Sequence, residues 1–281
     1  MEKMSDTELS QARRAAHARM MHRRRVTFGV AVALVLLLLG GGIAWAVSAS
    51  NRAPSESGAN AAGDEPTSSP QSTAQAPQQS ESTPGAGYDL DSPDSITVVV
   101  NKQRPFHPVD WAPSDLVSPN VTNNNGQPLR EVAAVALEAM NEAATAEGLP
   151  LTFASAYRSY SEQGSLYSRY VASDGQAAAD TYSARPGFSE HQTGLATDLT
   201  DGGDCTLEEC FGETPTGQWL RENSWRYGFI LRFDEGQEQV VGYTYEPWHF
   251  RYVGVDVATA MHEQGVANLE DFMGLPAAPT Y

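Results

Sequence analysis

Ser189-Glu190-His191-Gln192-Thr193-Gly194-Leu195-Ala196-Thr197-Asp198 places two metal-donor side chains, His191 and Asp198, with six residues between them. On a straight strand their Cα atoms would lie about 23 Å apart. Donors to one ion lie within a few ångström, so a shared ion requires the chain to fold back between them. Thr193-Gly194 is the place for that reversal, because glycine tolerates the dihedrals it needs. A second cluster, Tyr245-Glu246-Pro247-Trp248-His249-Phe250-Arg251-Tyr252, sets Glu246 three residues before His249. Residues three apart on a regular strand face opposite sides. Pro247 breaks that regularity, and a bend there brings Glu246 and His249 to the same ion. A third cluster is Ser155-Ala156-Tyr157-Arg158-Ser159.

A catalytic zinc takes three protein donors from His and carboxylate and leaves its fourth position to water. His191, Asp198 and His249 supply that set. Glu246 then acts on the water as general base instead of binding the ion. Each residue has a plainer reading when taken alone. A histidine among aromatics packs as core, Asp198 before Thr-Asp-Gly is a turn residue, and Arg158 pairs with one of many acids. The combination carries the metal reading, since no short HExxH motif is present.

Working outward, Leu129–Glu147 is Ala-rich with apolar residues near helical spacing, and Gly148-Leu149-Pro150 stops it. Helices are also expected at Ser161–Ala172, Thr216–Tyr227 and Asp256–Gln264. Strands are expected at Ser95–Val100, Leu151–Ser155, Thr193–Leu199, Phe229–Phe233, Gln239–Tyr245 and Trp248–Val253. Residues 105–127, rich in Pro and Asn, read as irregular. Without regular βαβ alternation this mixture predicts one α+β domain over residues 94–281, with a central antiparallel sheet flanked by helices.

Charge and composition divide the rest of the 281-residue chain. Residues 1–25 carry seven Lys and Arg against three Asp and Glu, a net +4, which leaves −21 on the remainder of a chain whose formal charge is −17. An acidic chain of this kind is not a nucleic-acid binder, which needs a basic face. Val26 to Val47 has no charged residue, and its 22 residues would rise about 33 Å as a helix, enough to cross a bilayer. Residues 26–48 are therefore expected to be a transmembrane helix, with a cleaved signal peptide ending at Ala46-Val47-Ser48 as the rival reading. Arg23-Arg24-Arg25 puts the N-terminus in the cytoplasm and the domain outside the membrane, as a single-pass protein. Residues 49–93, dominated by Ser, Pro and Gln, read as a flexible linker. The two cysteines, Cys205 and Cys210, are expected to form a disulfide in an exported domain. Nothing in the sequence sets an oligomeric state.

The three clusters, in this order, resemble the VanY-like D-alanyl-D-alanine carboxypeptidases among the LAS-type zinc peptidases of bacterial cell walls. The resemblance runs over roughly Ser95–Val257 and rests on S-x-H-x-x-G-x-A-x-D (Ser189 to Asp198) followed by Glu246-Pro247-Trp248-His249. Asn101-Lys102-Gln103-Arg104-Pro105 is similar to the family's entry to the domain. It implies one Zn2+ per domain on His191, Asp198 and His249, with Glu246 as base and Arg158 on the oxyanion or the substrate. Ser155, Gln163, Ser189 and Trp248 match positions that contact substrate. The implied substrate is a peptidoglycan stem peptide or its precursor, cut before a terminal D-Ala. An L,D-carboxypeptidase or an endopeptidase of the same fold, and a wall-binding module without turnover, are the alternatives. The stretch Gly202–Thr216, which holds both cysteines, does not map onto the resemblance.

Overall fold

The computed structural model describes residues 87–123 and 126–281. Seven strands are β1 (Leu116–Val117), β2 (Thr122–Asn123), β3 (Leu129–Arg130), β4 (Thr152–Ser155), β5 (Ala196–Thr200), β6 (Phe229–Leu231) and β7 (His249–Tyr252). The helices that matter here are α1 (Glu131–Ala146), α2 (Tyr160–Asp174), α3 (Pro215–Asn223), α4 (Val255–Gln264) and α5 (Leu269–Met273). Strands β1 and β3 pair with each other, and the remaining five form one sheet in the order β2-β4-β5-β7-β6.

Helix α1 has no Gly or Pro, and it buries Ala133, Ala134, Leu137, Met140 and Ala144 along one face. These residues share a core with Phe153, Leu199 and Phe250. Leu199 and Phe250 belong to the sheet face opposite the one that carries their chain neighbours Asp198 and His249, because side chains alternate along a strand. One side of the sheet is thus apolar packing and the other is free for chemistry.

The architecture is α+β, but the sheet is mixed rather than antiparallel. Strand β2 runs parallel to β4, while β4–β5, β5–β7 and β6–β7 are antiparallel. A parallel neighbour requires a crossover, and β3 with α1 supplies it between β2 and β4. Ser95–Val100 forms no ladder strand. The carbonyls of Ile96 and Val98 accept from the Arg251 guanidinium instead. Gln239–Tyr245 is not a strand either: a helical turn covers Glu238–Val241 and ends at Gly242, whose φ is 81°.

The membrane expectation is also corrected. Among the described residues no helix is long and apolar enough to cross a membrane. The longest, α1, has 16 residues, a rise of about 24 Å. The structure therefore gives no support to a membrane anchor, to the membrane as a partner, or to the single-pass location. The segment 26–48 on which these rested lies outside the described residues, as do residues 1–25 and most of the linker 49–93.

Candidate metal centre and substrate cleft

Strand register brings the central residues together. Asp198 on β5 stands opposite His249 on β7 and opposite Ser155 on β4. The β4–β5 pairing shifts between Phe153 and Ser155. This bulge around Ala154 turns Ser155 onto the face of Asp198, where an unbroken strand would turn it away. His191 arrives from the other side of a reversal. Glu190–Thr193 form a 3-10 turn, and Gly194 follows in the left-handed region at φ 68°. A Cβ at Gly194 would lie 2.9 Å from Arg130 Cγ and 3.1 Å from Leu116 Cδ2, so both its dihedrals and its surroundings require glycine. At the entrance to β7 the His249 amide donates to the Glu246 carbonyl at 3.0 Å. This closes the turn around Pro247 and puts both side chains on one site.

Donor atoms of His191, Asp198 and His249 lie within 4.8 Å of one another, and all three residues are buried. The ring of His191 is held by its Nδ1, 2.7 Å from the carbonyl oxygen of Ala156. A carbonyl only accepts, so Nδ1 carries the proton and the Nε2 lone pair faces Asp198 Oδ1 at 3.5 Å. His249 is held the other way round. Its Nε2 is 3.3 Å from Glu190 Oε2, and its Nδ1 faces Asp198 Oδ1 at 3.2 Å. Two imidazole lone pairs and a carboxylate thus converge from rings 4.9 Å apart and nearly perpendicular. This donor set fits a catalytic zinc with a position left open. Burial disfavours charge on both rings. It holds His191 down at about 4 despite Asp198. For His249 the hydrogen bonds it donates to Asp198 and Glu190 outweigh burial and carry it up to about 9 in the metal-free site, so a metal at Nδ1 takes the place of a proton.

Glu246 is buried beside the donors, with Oε2 3.8 Å from His249 Nδ1. Arg158 precedes the N-cap of α2, where Ser159 and Glu162 form a capping box that fixes the start of the helix. Its guanidinium donates to Gln163 Oε1 at 2.7 Å and to Ser155 Oγ at 2.8 Å. Gln163 in turn donates to the Ala184 carbonyl at 2.6 Å. Arg158, Gln163, Ser189, Glu246 and both histidines line one cleft that opens to solvent. Ser155 reaches that cleft through Arg158, and Trp248 packs into the main apolar core. The sequence reading did not single out the aromatic wall of Tyr182, Phe188, Phe233 and Tyr243, or Glu190 with its arginine partners. The wall comes from segments with no shared spacing. Glu190 stood inside the motif already quoted. Cys205 and Cys210 are joined by a disulfide, outside the residues that line the cleft.

The fold and the buried His-Asp-His centre define a zinc metallopeptidase with a single metal site. The profile of the VanY family, D-alanyl-D-alanine carboxypeptidase, matches residues 126–255. YodJ of Bacillus subtilis (strain 168) is 39% identical over 189 residues, covering 65% of this chain and 68% of YodJ. The solved structure of the LdcB LD-carboxypeptidase superposes with a TM-score of 0.61 at 39% identity, covering 65% of this chain and 87% of that one. A mutant of the vancomycin-resistance D,D-pentapeptidase VanY, solved with Zn(II), gives a TM-score of 0.54 at 33% identity, covering 63% and 97%. The chain belongs to the VanY family of D-alanyl-D-alanine carboxypeptidases.

Proposed function

We propose that the protein hydrolyses the bond before the terminal D-alanine of peptidoglycan stem peptides ending in D-Ala-D-Ala, as a zinc-dependent carboxypeptidase. The observation that carries this reading is the buried His191–Asp198–His249 centre in a cleft that is also lined by the Glu246 carboxylate and the Arg158 guanidinium. Zinc held by the three donors supplies a Lewis acid for the scissile carbonyl and lowers the pKa of water. Glu246, beside the donors but outside the set, takes a proton from the attacking water and returns it to the leaving amine. Arg158 stands where negative charge develops, with Ser155 and Gln163 fixing its plane, so its donors are preorganised. It also offers the substrate's terminal carboxylate a paired hydrogen bond. Ser189 and the aromatic wall bound the space around the terminal residue.

An L,D-carboxypeptidase is the second reading. It is favoured by the closer likeness to LdcB than to the VanY structure. Both readings remove a D-alanine, and they differ in the residue before it. The deciding experiment incubates the zinc-loaded chain with a pentapeptide stem ending in D-Ala-D-Ala and with the tetrapeptide that ends in a single D-Ala. Products are read by mass, with and without chelator. Loss of one alanine from the pentapeptide, abolished by chelator, supports the D,D reading. Cleavage of the tetrapeptide alone overturns it in favour of the L,D enzyme.

A further inference from the structure

We propose that Glu190 is a positioning residue for the metal ligand His249, held in place by a buried network of four charges that reaches the C-terminal helix. Glu190 adjoins His191 in sequence, yet its carboxylate is directed to other partners. One oxygen, Oε2, meets His249 Nε2 at 3.3 Å. The other, Oε1, accepts from Arg232 Nε at 2.8 Å and from Arg251 Nη1 at 3.1 Å. Both arginines are anchored in turn. Arg232 donates twice to Glu270 on α5, at 2.9 and 2.6 Å, and Glu270 also accepts from Asn101 Nδ2 at 3.0 Å. Arg251 donates to the carbonyls of Ile96, Val98 and Tyr252. All four charged residues are almost completely buried, Glu190 at 4% exposure and the other three at 1% or less.

Taking two carboxylates and two guanidiniums out of water is costly, so a network of this kind is weak evidence for stability. What its geometry does fix is the direction of the Glu190 carboxylate. The network meets the metal centre where His249 Nε2 donates to Glu190 Oε2. With Nε2 donating there, the Nδ1 lone pair of His249 is left to the metal. His191, anchored to the Ala156 carbonyl, presents Nε2 instead. A carboxylate behind an imidazole also strengthens it as a donor. Arg232 and Arg251 hold the Glu190 carboxylate in that orientation. A glutamine of the same shape could still accept from the two arginines, but its amide would turn donor against donor toward His249 Nε2–H.

The inference rests on the zinc reading, and the test separates the two. Zinc dissociation constants are measured by chelator competition on the full chain for wild type, Glu190→Gln and Glu270→Gln, together with metal-free melting temperatures. Glu190→Gln should weaken zinc 10–100-fold and shift the visible spectrum of the Co(II)-substituted protein. Glu270→Gln touches the network but not His249. It should lower the metal-free melting temperature and leave the zinc dissociation constant within about threefold of wild type. Wild-type affinity in Glu190→Gln overturns the proposal, as does an equal loss in both variants, which would mark the network as a general scaffold. A wild type that takes up no zinc overturns the metal reading and this proposal with it. Should Glu190→Gln fail to fold, nitrogen-15 imidazole spectra of the zinc-loaded wild type decide the matter. His249 must carry its proton on Nε2 and His191 on Nδ1, and the same tautomer at both rings would refute the assignment.

Discussion

Glu246 and Arg158 flank the three metal donors, and each supports a different expectation. Replacing Glu246 by Gln removes proton acceptance while keeping size and hydrogen bonding. The expected loss in kcat is about 10²–10⁴-fold, with zinc content unchanged by metal analysis. A variant of near wild-type rate would place the base elsewhere. Arg158 holds its plane through Ser155 and Gln163, a geometry that a lysine cannot reproduce. Arg158→Lys should therefore lose about 10²-fold in kcat/KM while retaining zinc. Equal losses on a peptide with a free and with an amidated C-terminus would show that Arg158 does not read the terminal carboxylate. These residues were legible in the sequence because the problem they pose is local. His191 and Asp198 demand a reversal between them, and Gly194 supplies it. Glu246 and His249 demand a bend, and Pro247 supplies it. Glu190 was not legible as a contributor, because its partners Arg232 and Arg251 lie 42 and 61 residues away.

At the scale of elements, the reversal at Gly194 should be the most fragile part of the site. An alanine there must adopt the left-handed region, at about 1–2 kcal/mol. It must also displace Arg130 or Leu116, whose side-chain carbons sit near 3 Å from the new Cβ, an overpacking cost of about 1–3 kcal/mol. Gly194→Ala is therefore expected to lower the denaturation midpoint of the metal-free protein and to weaken zinc. An unchanged midpoint would show that the turn relaxes at no cost. Helices with an uninterrupted apolar face, such as Glu131–Ala146 and Val255–Gln264, could be read from spacing. Ser95–Val100 could not. Its β-branched run is buried as a strand would be, but a distant arginine takes the place of a neighbouring strand. The two residues of β2 sit in an Asn-rich stretch with no strand signal, and they are what makes the sheet mixed.

Over the whole molecule, an ion held by His191, Asp198 and His249 would join the 3-10 turn to β5 and β7, segments brought together only by the finished fold. Binding to the native state alone stabilises it by mass action, about 2.7 kcal/mol at a hundredfold excess over the dissociation constant. The melting temperature should rise with zinc concentration and fall on chelation, and the His191→Ala variant should show neither response. A wild-type melting temperature indifferent to zinc would contradict the centre described here. The formal charge of −17 is a sum over the chain, and it could not indicate how opposite charges would be concentrated inside. Arg232 and Arg251 are among the largest fully buried side chains.

Ser155, Asp198 and His249 stand directly opposite one another on three adjacent strands. Because side chains alternate, a slip of one residue in β7 would replace His249 at the site by Trp248 or Phe250 and turn the imidazole into the apolar layer. Zinc is thus available only to a chain whose strands are correctly registered. The ion acts as a proofreader of assembly, and a misaligned copy of this carboxypeptidase is inert by construction.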